Sequence, residues 1–531
     1  MKRAVTLFVI MLCLAVSAHA DEASGKMRPY RIEAGRNERW WGGYSQLGRK
    51  MPFASSVGGD LAADNKGNIS TPFLVSSTGR YIWGYRPFRF TADKDGITIE
   101  SEDGIRPQVG GKSLREAFLI AAQRHFKSTG KSPAAEMFTA PQYNTWIELG
   151  YDQSQQGVLD YARAIVDGGF PVGVIMIDDN WHRYHGSFSF DIERFPDPRA
   201  MVDSLHHMGF KVMLWVSPFV SADSPAYRQL AADKMLLRQG DGTTPAMIRW
   251  WNGQSACYDL TNPAACDHYR RGLHSLQERY GIDGFKFDGG DTYFYTDDMV
   301  SFKDDATPTD HLEAWCSLGA DFPFNEYRAV YGCAGTPIVA RLSDKACSWD
   351  AVSSLIPEMT ATGLMGYPYA CPDMIGGGEI GSFTREGANI DGDMFVRSAW
   401  VHALMPMMQF SAAPWRVLDA DRAEACRKAA ELHVKMAPYI MTLVREAEKS
   451  GAPIVRTMEY EFPKRGFADC KDQFMLGNRY LVAPVVTPNP TREVRLPAGR
   501  WKDDMGKVYK GPIVFSVKVP VDRLLYFERV K

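Results

Sequence analysis

Residues 264–290 read "AACDHYRRGLHSLQERYGIDGFKFDGG", and this stretch decides the expected fold. Its first part, 264–281, has the apolar spacing of an amphipathic helix and ends at Gly281, a residue type that often closes helices. Its second part, 282–290, begins with a short apolar run typical of a buried strand. The run is followed by the carboxylate of Asp288 and by two glycines. A helix that leads into a buried strand with an acidic tip is typical of α/β folds with functional groups at strand ends.

The same order of elements recurs along the chain. Residues 170–179 ("FPVGVIMIDD") predict a buried strand, 197–209 ("DPRAMVDSLHHMG") a helix, and 210–219 ("FKVMLWVSPF") the next strand. This alternation over residues 131–450 predicts an α/β fold with a parallel sheet, most simply a (β/α)8 TIM barrel.

Two β-rich regions flank the expected barrel. Residues 21–130 contain alternating apolar runs broken by turns, as in "FRFTADKDGITIESEDG" (88–104), and predict an N-terminal β-sandwich domain. Residues 451–531 return to the same pattern, as in "REVRLPAGRWKDD" (492–504), and predict a C-terminal β-sandwich domain.

The first twenty residues, "MKRAVTLFVIMLCLAVSAHA", have the pattern of a secretory signal peptide. Lys2 and Arg3 precede an apolar run, and Ala18-His19-Ala20 matches a small-residue cleavage site. We therefore expect residues 1–20 to be removed and the protein to be secreted or periplasmic.

Composition excludes some classes of partner. The formal net charge is −2, so nothing favours nucleic acid, and no further apolar segment is long enough to predict membrane insertion. Eight cysteines follow the signal peptide, and their pairing stays open. The spacing of Cys257, Cys266 and His268 matches no standard zinc pattern, so no metal is expected. The sequence gives no indication of the oligomeric state.

Carboxylates follow several of the expected strands. Asp178, Asp179 and Asp288 stand at strand ends, where the functional residues of such barrels lie. Two carboxylates across one pocket suit the cleavage of a glycoside, because one attacks the anomeric carbon and the other transfers protons. The alternative interpretation is that each acid caps a helix or closes a turn.

Several segments together resemble glycoside hydrolase family 31, a family of retaining α-glycosidases. "GIDGFKFDGGD" (281–291) resembles the family's nucleophile strand, which implies that Asp288 is the nucleophile. "RLSDKACSWD" (341–350) resembles the acid/base segment, which implies that Asp344 is the acid/base and has a raised pKa.

Further segments follow in the family's order. "MIDDNW" and "CPDMIGG" resemble pocket segments and imply sugar contacts for Asp178 and Asp373. "WNGQSACYDLTNP" places Trp251 as an aromatic wall, and Arg328 falls where the family has a sugar-contacting arginine. Trp215, in the strand segment 210–219, is also expected to bind substrate. The resemblance implies no cofactor.

The chain departs from the family's α-glucosidases at the expected pocket floor. Lys286 replaces a tryptophan two residues before the nucleophile, so it either contacts the sugar or pairs with Asp291 or Asp283. Ser411 is expected to take the place of a histidine of the last barrel loop.

A tryptophan-glycine segment gives the second clue to the branch. "ERWWGGYSQLGRKMP" (38–52) resembles a branch that contains α-galactosidases and the myogenesis-regulating glycosidase, which implies that Trp41 leans over the pocket.

These features predict a secreted retaining exo-α-glycosidase that hydrolyses terminal α-linked sugars of an oligosaccharide or glycoside, with an α-galactoside favoured. An α-glucosidase, α-xylosidase or sulfoquinovosidase of the same family stays open. So do a transglycosylase with the same acids and a catalytically silent carbohydrate-binding protein.

Overall fold

The computed structural model describes residues 27–62, 69–384 and 390–530. The predicted signal peptide, 1–20, lies outside these residues. Within them, no helix has both the length and the apolar character needed to cross a bilayer.

The N-terminal region forms two four-stranded antiparallel sheets around one apolar core. One sheet has the order β1-β7-β6-β3 and the other the order β2-β4-β5-β8. The elements are β1 Arg28–Glu33, β2 Trp40–Tyr44, η1 Ser45–Lys50, β3 Val57–Asp60, β4 Ser70–Ser76, β5 Arg80–Trp83, β6 Arg89–Asp93, β7 Gly96–Ser101, β8 Gln108–Val109 and helix α1 Leu114–His125.

Eight parallel strands then form the predicted barrel. Their hydrogen-bonded order is β18-β17-β16-β15-β11-β10-β9-β19, and a parallel bridge between Met374 and Gln409 joins the two ends. The barrel strands are β9 Gln142–Asn144, β10 Val174–Ile177, β11 Lys211–Val216, β15 Gly284–Phe287, β16 Phe324–Tyr327, β17 Ala340–Arg341, β18 Ala370–Cys371 and β19 Gln409–Phe410. The expected TIM barrel is confirmed.

Helices surround the barrel and share its apolar core. They are α2 Glu136–Thr139, α3 Trp146–Leu149, α4 Gln155–Asp167, α5 Pro198–His207, α6 Pro225–Ala232, α7 Pro263–Tyr280, η2 Thr292–Phe294, α8 Pro308–Gly319, α9 Trp349–Leu364, α10 Gly381–Thr384, α11 Gly392–Ala403, α12 Pro414–Val417 and α13 Ala420–Ser450. After β11, the short strands β12 Phe219–Val220, β13 Ile248–Trp250 and β14 Gly253–Cys257 form a small separate sheet.

Residues 264–290 form the helix and the strand that the sequence predicts. The Asn262 side chain accepts a hydrogen bond from the Ala264 N–H at the start of α7, and Gly281 ends this helix in the left-handed conformation. The strand β15 follows within three residues. Gly284 is required there, because a Cβ atom would lie 2.0 Å from the carbonyl oxygen of Phe324 in the neighbouring strand.

The C-terminal region forms one six-stranded antiparallel sheet, β20-β21-β22-β25-β23-β24. The sheet is continuous because the long strand β23 pairs with β24 on one side and with β25 on the other. The elements are β20 Val455–Arg456, helix α14 Met458–Glu461, β21 Phe474–Leu476, β22 Tyr480–Val482, β23 Thr491–Asp503, β24 Val508–Lys518 and β25 Tyr526–Val530.

Candidate active site

A cavity of about 290 Å3 opens at the carboxyl ends of the barrel strands. The side chains around it combine acids, bases and aromatic rings, a combination that suits a polar ligand with apolar faces. Its lining residues are Trp146, Tyr151, Asp178, Asp179, Trp215, Trp251, Lys286, Asp288, Arg328, Asp344, Met374, Gly378, Glu379 and Ile380.

Asp288 stands at the tip of β15 with both carboxylate oxygens bound. The indole N–H of Trp215 donates to Oδ2 at 2.8 Å, and the backbone N–H of Gly289 donates to Oδ1 at 2.9 Å. Gly289 and Gly290 both have positive φ, and a Cβ atom on Gly290 would lie 2.4 Å from the Trp315 ring. The two glycines are therefore needed to turn the chain under Trp315, and this turn fixes the carboxylate.

Arg328 neutralises the acids beside Asp288. Its Nε atom lies 3.7 Å from Oδ1 of Asp288 and 3.4 Å from Oδ2 of Asp291, and its guanidinium lies 4.9 Å from the centre of the Trp251 ring. Burial opposes the charge of Arg328, but Asp291 and Asp288 outweigh it and raise its pKa. Burial raises the pKa of Asp291. Arg328 therefore joins the nucleophile candidate to the aromatic wall.

Lys286 is paired, but with neither of the partners considered from the sequence. Its Nζ atom donates to Oδ2 of Asp178 at 2.6 Å, and both side chains are only 3% exposed. Asp283 instead accepts from His206 and Lys211 outside the cavity. Burial acts against the ammonium charge, but the carboxylate of Asp178 outweighs it, and the pKa of Lys286 is raised. Both members of the pair still line the cavity.

We expect Lys286→Met to lower the free energy of unfolding by about 3–5 kcal/mol, because it leaves the buried Asp178 carboxylate without its cation. Urea denaturation measures this change. The matched control is Lys211→Met, which breaks a partly exposed pair with Asp283 and is expected to cost about 1 kcal/mol or less. Equal losses in the two variants would contradict the buried pairing.

Asp344 is held by a residue that the sequence did not single out. Nη1 of Arg341 donates to Oδ1 of Asp344 at 2.7 Å and to Oδ1 of Asp373 at 2.8 Å. Asp373 also accepts from the backbone N–H groups of Lys345 and Gly378. Asp344 lines the cavity with a side chain that is 38% exposed, whereas Asp373 is fully buried behind it. Asp373 therefore positions Arg341 and Asp344, and it is not among the lining residues.

The expected raised pKa of Asp344 is wrong in this structure. Burial works towards a higher pKa, but the charges of Arg341, Arg328 and Lys286 outweigh it and lower the pKa to about 2. Burial and the nearby Asp344 raise the pKa of Asp373 to about 6, although Arg341 opposes this. The two acids share one arginine, so they titrate as a pair that keeps one proton until pH rises through about 6.

We expect Asp373→Asn to move the basic limb of the kcat/KM profile to lower pH by about one unit or more, because removal of a neighbouring negative charge lowers the pKa of Asp344. The measurement uses an unactivated disaccharide, whose leaving group needs a proton. The same variant acting on an α-glycosyl fluoride is the control, since fluoride leaves without a proton. An unchanged limb on the disaccharide would contradict the shared titration.

The structure does not bring Trp41 to the cavity. Trp41 is buried in the N-terminal core, where it pairs across the sheet with Val75 in β4. Ser411 is also buried away from the cavity, and its hydroxyl accepts from the backbone N–H of Ile147. The expected position of Trp41 over the pocket is therefore wrong, and Ser411 is not among the lining residues. Trp215 and Trp251 do line the cavity, as predicted.

Asp179 lines the cavity, as its position at a strand end indicated, although the sequence assigned it no specific role. The amide of Asn252 donates to its carboxylate, and burial raises its pKa to about 7. His182 and His185 lie beside it and share a hydrogen bond of 3.0 Å, and burial lowers the pKa of both rings. Ligand atoms of these three residues lie within 4.8 Å of one another, the only such set of possible metal ligands in residues 27–62, 69–384 and 390–530. The two adjacent acids in "MIDDNW" were the feature of the sequence that could have pointed to Asp179.

The loops after β9 and β18 supply the remaining wall. The indole N–H of Trp146 donates to the carbonyl oxygen of Gly378 at 3.0 Å, which ties the two loops together. Trp146 and Tyr151 contact each other edge to face at 5.4 Å. Trp146 begins the four-residue helix α3 and Tyr151 follows that helix, so neither lies in a segment long enough to carry a periodic signal. Sequence reasoning therefore had no means of selecting these two aromatic residues from the others.

Comparisons with known proteins agree with this geometry. The TIM-barrel domain of glycosyl hydrolases family 31 matches residues 137–443, and the C-terminal domain of that family matches residues 451–530. The chain belongs to glycosyl hydrolase family 31. The prediction of a family 31 glycoside hydrolase is thereby confirmed at the level of the family.

Curated relatives include the myogenesis-regulating glycosidase of Mus musculus, which is 32% identical over 482 residues, covering 88% of this chain and 67% of that protein. An alpha-xylosidase of Emericella nidulans is 24% identical over 521 residues, covering 90% of this chain and 63% of the relative. The chain thus spans about two thirds of the length of these relatives.

Solved structures share the fold. A Flavobacterium johnsoniae family 31 dextranase complexed with glucose superposes with a TM-score of 0.82 at 19% identity, covering 95% of this chain and 67% of that one. A family 31 alpha-xylosidase from a soil metagenome, complexed with xylose, gives a TM-score of 0.77 at 20% identity, covering 94% and 79%.

Proposed function

We propose that the protein is a retaining exo-α-glycosidase that hydrolyses terminal α-linked sugars by double displacement, with Asp288 as nucleophile and Asp344 as acid/base. The observation that carries the proposal is that these two carboxylates, 56 residues apart in sequence, line one cavity and are held by different partners. Trp215 and Gly289 hold Asp288, whereas Arg341 holds Asp344.

The steps follow from these positions. Asp288 attacks the anomeric carbon while the Asp344–Asp373 pair gives its proton, through Asp344, to the leaving oxygen. The glycosidic bond breaks and a glycosyl ester forms on Asp288. Asp344 then takes a proton from water, whose oxygen attacks the same carbon and releases Asp288. Each step inverts the carbon, and the product keeps the α configuration.

The position of the Lys286–Asp178 pair supports action on chain ends. Lys286 precedes Asp288 by two residues in β15, so it lies deeper in the barrel, and its buried pair with Asp178 lines the cavity there. Asp178 accepts from Lys286 through Oδ2 and from the backbone N–H of Asp179 through Oδ1 at 2.9 Å. Each carboxylate oxygen has a second lone pair, which can accept a hydrogen bond from a sugar hydroxyl.

An α-galactoside is the proposed substrate. Trp41 and Ser411 lie away from the cavity, so this choice rests on Lys286, a charged group where the family's α-glucosidases have a tryptophan. An α-xyloside is the second candidate, because relatives named as alpha-xylosidases cover most of the chain. We also propose export to the periplasm or the medium, which rests on the signal pattern of residues 1–20.

The decisive experiment is a panel of p-nitrophenyl α-glycosides of galactose, glucose, xylose and sulfoquinovose, with the product anomer followed by proton NMR. An α anomer formed first, fastest from galactose, is the expected result. A first-formed β anomer would contradict retention, and turnover confined to another sugar would replace the galactoside. Absence of turnover on every glycoside would favour a silent binding protein, and transfer products would favour a transglycosylase.

A further inference from the structure

A group of side chains suited to metal binding lies at the edge of the cavity. Asp179, His182 and His185 follow β10 at three-residue intervals, so a single loop supplies all three. Nε2 of His182 lies 3.0 Å from Nδ1 of His185, which lies 3.9 Å from Oδ1 of Asp179. Only Asp179 among the three lines the cavity, so the two histidines lie behind its carboxylate. We call these three residues the histidine cluster.

The distances within the histidine cluster are close to those of a metal site. Zinc–ligand bonds of about 2.0–2.1 Å place two ligand atoms of a tetrahedral ion about 3.3 Å apart. The nitrogen–nitrogen distance of 3.0 Å is slightly shorter than this, and the nitrogen–oxygen distance of 3.9 Å is slightly longer. All three ligand atoms lie within 4.8 Å of one another. Small rotations of the side chains therefore suffice for all three to bind one ion.

The charges around the cavity also favour a cation at this position. Asp178, Asp288 and Asp344 each have a lysine or arginine nitrogen at 2.6–3.7 Å. Within the part of the chain that the structure describes, Asp179 pairs with no lysine or arginine, and its hydrogen bonds come from uncharged amide groups. Asp179 is only 2% exposed, and a buried carboxylate is costly unless a cation is near it. A metal ion bound by the histidine cluster would supply that charge.

The two imidazoles need only a change of tautomer to become ligands. One of their facing nitrogens carries the shared proton and the other accepts it. Metal binding through both facing nitrogens moves that proton to the far nitrogen of its own ring, with no net release of protons. Among the described residues, Nδ1 of His182 has no hydrogen-bond partner. Because such partners hold metal-binding histidines in place, we expect an affinity about 10–100-fold below that of sites that have them.

The surroundings of the histidine cluster are aromatic. The His182 ring lies 4.6 Å from that of Trp181 and 6.1 Å from that of Trp215, and the His185 ring lies 4.7 Å from that of Trp250. The indole N–H of Trp215 also donates to Asp288. An ion bound here is therefore close enough to several tryptophans for their fluorescence to report its binding.

We propose that Asp179, His182 and His185 bind one divalent transition-metal ion, with Zn2+ as the expected ion. Two imidazoles and a carboxylate suit Zn2+ and its transition-metal neighbours, whereas Ca2+ and Mg2+ take oxygen ligands. The ion holds the loop after β10 and the carboxylate that Asp179 presents to the cavity. This inference goes beyond the proposed function and does not depend on it.

The test measures metal binding by the full chain without an affinity tag, after dialysis against a chelator. In calorimetric titrations we expect one equivalent of Zn2+ to bind, and saturating Zn2+ to raise the thermal unfolding midpoint by about 2–5 °C. Co2+ is expected to quench the tryptophan fluorescence and to give visible d–d absorption without a thiolate charge-transfer band. A thiolate band would assign the ion to cysteines and overturn the inference.

Three variants locate the ligands. His185→Phe keeps a ring against Trp250 and removes one ligand, so we expect it to weaken Zn2+ binding about tenfold or more and to abolish the thermal shift. Asp179→Asn removes the anionic ligand and carries the same expectation, which keeps the test open if one variant fails to fold. The control is His268→Phe, which replaces a half-buried histidine outside the histidine cluster and is expected to bind Zn2+ like the wild type.

Three results would overturn the inference. They are an absence of Zn2+ binding by the wild type at about 1 mM, an equal affinity in the wild type and the two ligand variants, and an equal thermal shift with Mg2+. None of these measurements uses a glycoside. A failure of the proposed function would therefore appear in the glycoside panel and not here.

Discussion

Asp288→Ala is expected to lower kcat by about 10^4-fold or more while the fold is retained. The carboxylate forms the bond to the anomeric carbon, and no other lining acid replaces it. Asp291, the nearest acid by sequence, is buried and paired with Arg328. The loss is measured with the best glycoside of the panel, and the thermal unfolding midpoint reports on the fold.

A matched control lies at the other end of the same strand. Asp283 precedes β15 and binds His206 and Lys211 outside the cavity, so Asp283→Asn is expected to keep most of the activity. A slow 5-fluoro glycosyl fluoride should add one glycosyl mass to the wild type and none to Asp288→Ala. Near-normal turnover by Asp288→Ala, or labelling of that variant, would remove Asp288 from the nucleophile role.

Sequence reasoning located the groups that stand at strand ends. Asp178 and Asp288 were found because a buried strand with an acidic tip is a local pattern, and the barrel places all such tips at one face. Lys286 was singled out because it stands two residues before Asp288, where the family's α-glucosidases have a tryptophan. The helix before β15 was predictable for the same reason, since its cap residues lie within the stretch itself or next to it. These features need no knowledge of distant contacts.

The partners of these groups were not predictable. Lys286 pairs with Asp178 from 108 residues away, and Arg341 joins Asp344 to Asp373 from 32 residues away. Such pairs exist only once the barrel closes, and several other acids were as plausible in sequence. The lowered pKa of Asp344 depends on the same closure, because cations from three separate strand ends converge on it.

The misplacement of Trp41 has a different cause. Trp41 was expected over the pocket because its segment resembles that of a branch of the family, and not because of any contact visible in the sequence. The register of β2 against β4 shifts between Gly42 and Tyr44, and both tryptophans are buried in the N-terminal core. A pattern of side chains cannot reveal such a bulge, which depends on the partner strand.

Asp344→Gly is expected to reduce kcat/KM for an unactivated α-glycoside by about 10^3-fold or more, and kcat/KM for an α-glycosyl fluoride far less. The reason is that Asp344 protonates the leaving oxygen, a step that fluoride does not need. Asp350→Ala is the matched control. Asp350 lies in the same segment but pairs with Arg49 at the surface, so its loss is expected to leave both substrates unaffected.

Rescue by azide distinguishes the roles of the two carboxylates, because the anomer of the glycosyl azide differs between the two variants. In Asp344→Gly the glycosyl ester on Asp288 still forms, and azide then attacks it in place of water, so two inversions give an α-glycosyl azide. In Asp288→Gly azide takes the place of the nucleophile, and one inversion gives a β-glycosyl azide. Proton NMR distinguishes the anomers. A β-glycosyl azide from Asp344→Gly would exchange the roles of the two residues. A glycine in place of the acid/base leaves room for azide beside the ester, so an absence of azide rescue would remove Asp344 from catalysis.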